Sequence, residues 1–103
     1  HITGGVLAAN LSRSLPGHLD ARVDRATWAP APVFGYLADK GGVSREDMEA
    51  TFNMGVGMAA VVAEGDAERA LEVLADRGVP AWRLGTVTAG SGRTVLTGEY
   101  RSA

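Results

Sequence analysis

Residues 58–87, MAAVVAEGDAERALEVLADRGVPAWRLGTV, change period twice, and that change sets the expected fold class. Met58, Ala59, Ala60, Val61 and Val62 form an unbroken apolar run of strand length, which reads as a buried strand. Asp66 then stands where a side chain can cap a helix, and Ala67, Ala70, Leu71 and Leu74 recur every three or four residues on one face. Arg77 falls in the last turn and Gly78 just past it, a cation and a glycine where helix carbonyls run out of partners. Residues 81–87 read as the next strand. The stretch is therefore a strand, helix and strand unit, and the sequence leaves open whether its strands pair in parallel. The expected class is α+β, a mixed sheet with helices packed on it.

Upstream, Asn53-Met54-Gly55-Val56-Gly57 is too rich in glycine for regular helix and reads as a loop entering the strand at Met58. Before it, Ser44 is an N-cap with Asp47 three residues later, and Val43 and Met48 occupy the positions of a hydrophobic staple, so a short helix ends near Phe52. Pro30 and Pro32 force an extended approach to another helix, with Val33, Phe34 and Leu37 on one face and Gly41-Gly42 at its end. Leu19, Ala21 and Val23 alternate with Asp20, Arg22 and Asp24, the period of a half-buried strand. Val6, Leu7, Leu11 and Leu15 have helical spacing behind a glycine-rich entrance at Thr3-Gly4-Gly5, stopped by Pro16-Gly17. Downstream, Gly90-Ser91-Gly92 makes a turn, and Thr94, Val95, Leu96 and Tyr100 suit a short last strand. No repeat or linker divides the chain, so residues 1–103 are expected to be one unit.

Composition narrows the chemistry. Of 103 residues, 46% are hydrophobic and 21% charged, ordinary for a folded domain. A net charge of −2 without a Lys/Arg cluster argues against nucleic acid, and the apolar runs are too short to span a bilayer. A cytoplasmic setting is the default expectation. With no cysteine there is no disulfide framework or thiolate chemistry, and the two histidines, His1 and His18, are too few for a histidine metal cluster. The chain opens on His1 rather than Met, directly before a helix entrance, which reads as a piece of something longer.

Two segments carry possible chemistry. In His1-Ile2-Thr3-Gly4-Gly5, glycines at a helix entrance allow a ligand to approach free N–H groups while the helix dipole favours an anion, so phosphate binding stands beside the plainer reading of a capped turn. Histidine as a residue type suits proton transfer, because its unperturbed pKa lies near neutrality, although a terminal His1 can equally have no role. In the second segment, Gly55, Gly57 and Ala60 match G-x-G-x-x-A, but here the glycines follow a helix and enter a strand, the reverse of a dinucleotide site. Either Asn53 presents its amide to a ligand and the glycines permit close approach, or the glycines only relieve crowding. No G-x-x-x-x-G-K-[ST] loop is present, and neither histidine accompanies a nucleophile elbow. Trp28 and Trp82 read as core or interface anchors, Glu46-Asp47 as a charged helix start, and Arg69 with Arg77 as a solvated face.

Taken together, HITGG at 1–5, residues 23–28, Pro32-Val33-Phe34, Leu37, Gly41 and TFNMGVGM at 51–58 resemble, in order and spacing, the C-terminal region of the aminoimidazole ribonucleotide synthetase family. The resemblance runs from His1 to about Val87. It departs at Val6, where the family usually has a third glycine, and valine disfavours positive φ there. Formylglycinamidine ribonucleotide amidotransferase, selenophosphate synthetase and thiamine monophosphate kinase are looser relatives of that family.

The resemblance implies an α+β C-terminal domain of a phosphoribosylformylglycinamidine cyclo-ligase, which uses ATP and Mg2+ to convert formylglycinamidine ribonucleotide to aminoimidazole ribonucleotide. It implies that ATP and Mg2+ bind mainly on an N-terminal domain absent from this sequence, and that the cleft forms in a homodimer. Carried over, His1 is the proton-transfer candidate, and Thr3, Gly4, Gly5, Asn53, Gly55 and Gly57 are the substrate-binding candidates. The alternatives are a catalytically silent interaction or dimerisation module, or a domain of a related synthetase such as the amidotransferase.

Overall fold

The computed structural model describes residues 7–102. His1, Thr3, Gly4 and Gly5, with Ile2 and Val6, lie outside the described residues.

The described residues form four α-helices and a three-stranded mixed sheet, which agrees with the expected α+β class. Helix α1 (Leu7–Ser14) buries Leu7 and Leu11, one turn apart, and ends before Pro16. Strand β1 (Leu19–Asp24) is central, and its pattern is the one its alternation foretold: Ala21 and Val23 are buried, Arg22 and Asp24 exposed. Strand β2 (Gly85–Ala89) pairs with it antiparallel, from Leu19↔Ala89 to Val23↔Gly85. Strand β3 (Thr94–Thr97) pairs with it in parallel on the other edge, from Ala21↔Thr94 to Asp24↔Thr97.

Because β2 and β3 flank β1, residues 90–93 must cross its end. Asp20 Oδ1 accepts from Ser91 N and Arg93 N, both at 2.9 Å, and these bonds hold the Asp20 carboxyl below its ordinary range. A Cβ on Gly90 would stand 2.0 Å from Asp20 Cγ, so only glycine lets the crossing pass this close.

Helix α2 (Pro32–Gly41) begins on a proline, whose fixed φ suits the first turn, and ends on Gly42 at φ 62. Its inner face is Phe34 and Ala38, whereas Val33 and Leu37, expected inside, are exposed. The largest ring sets the rotation: Phe34 meets Phe52 edge-on at 5.8 Å. Helix α3 (Arg45–Thr51) starts as its sequence indicates, with Ser44 Oγ accepting from Asp47 N at 3.2 Å, Glu46 and Asp47 in the first turn, and Met48 buried.

Helix α4 (Ala67–Asp76) turns Ala67, Ala70, Leu71 and Leu74 to its less exposed side, as their spacing indicated. It closes with a Schellman arrangement, Gly78 N to Ala75 O at 3.0 Å and Val79 N to Leu74 O at 2.9 Å. Asp66, however, makes no side-chain cap bond. A 3-10 turn over Glu64–Asp66 holds its backbone at φ −102 and ψ −5, while a capping side chain needs the extended conformation to reach the first amides.

Two strand boundaries differ from expectation. Residues 58–62 form no strand, and Met58, Val61 and Val62 are 72%, 54% and 45% exposed. Among the described residues no strand pairs with 58–62, and the outer edges of β2 and β3 stay open. Strand β2 begins at Gly85 rather than Ala81, because its partner β1 ends at Asp24, where a 3-10 turn over Arg25–Thr27 starts. Asp24 N still reaches Leu84 O at 3.0 Å, but no ladder exists beyond it.

One apolar cluster joins these parts: Leu7 and Leu11 of α1, Val23 of β1, Trp28, Met48 of α3, and Met54 and Val56 of the following loop. Each large side chain fully buried there contributes on the order of 1.5–3 kcal/mol. Phe34, Ala59, Leu84 and Leu96 pack against it from outside.

Candidate functional site

The loop after α3 is a tight turn built by its own residues. Asn53 Oδ1 accepts from Gly55 N at 2.8 Å, and Val56 N donates to Asn53 O at 3.1 Å. Both central residues have positive φ, 55 at Met54 and 96 at Gly55. Gly55 takes that conformation freely, and a side chain there is strained even though a built Cβ would meet nothing nearer than Phe34 Cε2 at 4.0 Å. Met54 takes it at a cost of about 1–2 kcal/mol. Two anchors hold it: its side chain lies in the core, and Trp28 Nε1 donates to its carbonyl at 3.0 Å in a buried bond. Gly57 has ordinary φ and nothing within 4 Å of a built Cβ, so its immediate surroundings do not demand glycine.

This turn faces the start of α1 across a shallow groove of about 350 Å3. Leu7, Ala8 and Ala9 supply one wall, Phe52 and Met54 another, and Glu49 and Tyr100 close a third side. The second sequence motif, TFNMGVGM, thus contributes Phe52 and Met54 to a groove whose other wall is the first turn of α1. The positions of His1, Thr3, Gly4 and Gly5 themselves lie outside the described residues. Asn53 directs its Oδ1 back onto its own turn, so its carbonyl is spent on loop structure.

Beside the groove lies a charged group that sequence patterns did not signal. Arg25 is 8% exposed and forms a two-pronged pair with Glu49, Nε to Oε2 at 2.8 Å and Nη2 to Oε1 at 2.9 Å. Its Nη1 donates to Leu96 O at 3.1 Å and Gly98 O at 3.2 Å, and the Tyr100 hydroxyl donates to Glu49 Oε2. Burial works to raise the Glu49 carboxyl, but hydrogen bonds from Arg25 and Tyr100, with the Arg25 charge, outweigh it and hold the group below its ordinary range. Hydrogen bonding to Glu49 raises Arg25 against the opposing effect of burial, and burial followed by the Glu49 contact raises Tyr100. Glu49 is therefore ionised with both oxygens engaged, which suits a structural clasp and leaves it poorly placed to accept a proton from a ligand. The partners are 24 and 51 residues away from it in the chain, too far for any local pattern to join them.

Trp28 is a core residue, as its type suggested, touched edge-on by Tyr100 at 5.2 Å and at a tilt by Trp82 at 6.1 Å. Among the described residues, no group of three or more His, Asp or Glu side chains is placed to hold a metal ion, and no helix is long and apolar enough to cross a membrane.

Residues 1–97 match the family model described as AIR synthase related protein, C-terminal domain. A Streptomyces fradiae protein provisionally named as a phosphoribosylformylglycinamidine cyclo-ligase is 56% identical over 106 residues, covering 97% of this chain and 58% of that protein. The phosphoribosylformylglycinamidine cyclo-ligase of Nitrosococcus oceani is 45% identical over 87 residues, covering 84% of this chain and 24% of its own length. That of Burkholderia mallei is 43% identical over 99 residues, covering 93% of this chain and 28% of its own length. The chain thus spans from 24% to 58% of the length of these relatives.

Proposed function

Since this chain belongs to the AIR synthase related protein, C-terminal domain family, we propose that it is the C-terminal portion of an ATP-dependent phosphoribosylformylglycinamidine cyclo-ligase acting in the cytoplasm in purine biosynthesis. The observation that carries this reading is that relatives named for this activity align with 84% to 97% of the chain.

The proposed reaction closes the imidazole ring of formylglycinamidine ribonucleotide. ATP supplies the phosphoryl group that makes the formyl oxygen a leaving group. The amidine nitrogen attacks the formyl carbon, a C–N bond forms, the C–O bond breaks, and phosphate departs with the electron pair, giving aminoimidazole ribonucleotide and ADP. ATP and Mg2+ are assigned mainly to the part of the longer relatives that this chain does not span, since it covers 24% to 58% of their length. The part given to this chain is to hold substrate. Thr3, Gly4 and Gly5 offer backbone N–H groups to the ribonucleotide phosphate at the entrance of α1, where the helix dipole favours an anion. Asn53, Gly55 and Gly57, in the turn that carries Met54 to the groove, are assigned to substrate binding, and His1 is assigned to move the proton released by the attacking nitrogen.

Calorimetric titration tests the reading. Formylglycinamidine ribonucleotide should give saturable heat with this chain, and ATP with Mg2+ should give none. A folded chain that takes up nucleotide but not the ribonucleotide would contradict it.

A second reading, an interaction or dimerisation module, has its own support in the exposed Met58, Val61 and Val62. An apolar run this open suits a homodimer contact or a missing N-terminal domain, and sedimentation of the chain alone separates the two: association favours the first, a monomer the second.

A further inference from the structure

The turn at 53–56 is held from two sides through a single peptide unit. The planar group between Met54 and Gly55 carries both the Met54 carbonyl and the Gly55 N–H. Trp28 Nε1 donates to the first at 3.0 Å, and the second donates to Asn53 Oδ1 at 2.8 Å. Fixing one end of a rigid plane fixes the other. The indole N–H therefore sets where the Gly55 N–H points, and that N–H sets the side chain of Asn53. Because an amide is itself planar, fixing Oδ1 of Asn53 also fixes the direction of its Nδ2. Trp28 is in turn held by buried surroundings: the Tyr100 ring stands edge-on to it at 75°, and the Tyr100 hydroxyl is tied to the Arg25 and Glu49 pair.

We infer that Trp28 is a positioning residue for the substrate loop, orienting the Asn53 amide toward ligand through the Met54–Gly55 peptide plane. The ligand part of this inference rests on the proposed cyclo-ligase reading; the loop part stands on the hydrogen bonds alone. Trp82 is the internal contrast, since its indole N–H goes to Thr27 Oγ1 at 3.1 Å and not to the loop.

The test compares Trp28→Phe with Trp82→Phe by two-dimensional NMR, following backbone amides 53–57 and the Asn53 side-chain amide, first free and then with formylglycinamidine ribonucleotide. Trp28→Phe keeps an aromatic ring in the core and removes the donor. It is expected to shift these signals, to speed exchange of the Gly55 amide about tenfold, and to weaken half-saturation by the ribonucleotide about tenfold, the order of one buried hydrogen bond. Trp82→Phe should do none of these. If Trp28→Phe does not fold, the Trp82→Phe chain with its remaining tryptophan replaced by benzothienylalanine, which keeps the shape and lacks the N–H, carries the same expectation. Unchanged loop signals in a folded variant overturn the positioning role. Shifted and exposed loop signals with unchanged ribonucleotide affinity overturn its link to substrate. Absence of ribonucleotide binding by the unsubstituted chain sinks the cyclo-ligase reading instead, while the free-state loop signals still decide whether Trp28 positions the turn.

Discussion

Residues 53–56 and residues 58–62 are neighbours in sequence, similarly apolar in part, and opposite in fate. The first segment contains two positive-φ residues, a conformation with a local cost, yet Met54 and Val56 are buried and the turn is fixed by three hydrogen bonds. The second is a continuous apolar run with strong strand character, yet Met58, Val61 and Val62 are open to solvent. Local preference points one way and the structure goes the other. Partners decide: the turn has Trp28 and the core cluster, while among the described residues no strand pairs with 58–62, even though β2 and β3 each keep an outer edge unpaired.

Removing what pins the first segment should have the largest effects. Glu49→Ala leaves Arg25 buried without its carboxylate and should cost about 3–5 kcal/mol in urea unfolding. A loss under about 1 kcal/mol would mean that the clasp is not what ties Tyr100 and Trp28 to the core. The pH dependence follows from the same pair. The folded-state value of Glu49 is depressed, so its contribution is fully present above the ordinary glutamate value of 4.5 and is lost as pH falls through the lower folded value. Acid unfolding of Glu49→Gln should lack that component, and superimposable acid profiles would contradict the depressed carboxyl. Next in size, Gly55→Ala forces a side chain into positive φ and should lower stability by about 1–2 kcal/mol. Calorimetric melting would show it, and a neutral result would mean that the turn relaxes without harm. Smallest, Val61→Ser in the open segment should change stability by no more than about 0.5 kcal/mol, because the side chain has little to lose. A large loss in chemical unfolding would reveal a partner for 58–62 and erase the contrast.

Much of the fold was legible because it is written locally. Ser44 with Asp47, Gly78 after α4, Pro16 after α1 and the alternation in β1 are short-range devices, and each lies where its chemistry placed it. Most of the failures are long-range. The face of α2 was set by Phe34 finding Phe52, the start of β2 by the end of β1, and 58–62 pairs with no strand among the described residues. Asp66 failed as a cap for a nearer reason, the 3-10 turn that occupies its backbone. In the site, the loop at 53–57 was legible from its glycines and asparagine, and Phe52 and Met54 of that motif share the groove with Leu7 to Ala9. The Arg25, Glu49 and Tyr100 clasp was not, since an arginine after a strand, a glutamate within a helix and a tyrosine near the end carry no mutual signal in sequence. The bond from Trp28 to Met54 is of the same kind: the residue type announced a core anchor, and only the fold shows which carbonyl its N–H holds.

The most direct test of a substrate-holding groove between the start of α1 and the turn after α3 is amide shift mapping of this chain with formylglycinamidine ribonucleotide. Saturable shifts should concentrate in residues 3–9 and 53–57 and leave residues 67–79 of α4 and its cap unmoved. Shifts spread along α4, or centred on 58–62 with the turn silent, would contradict the account.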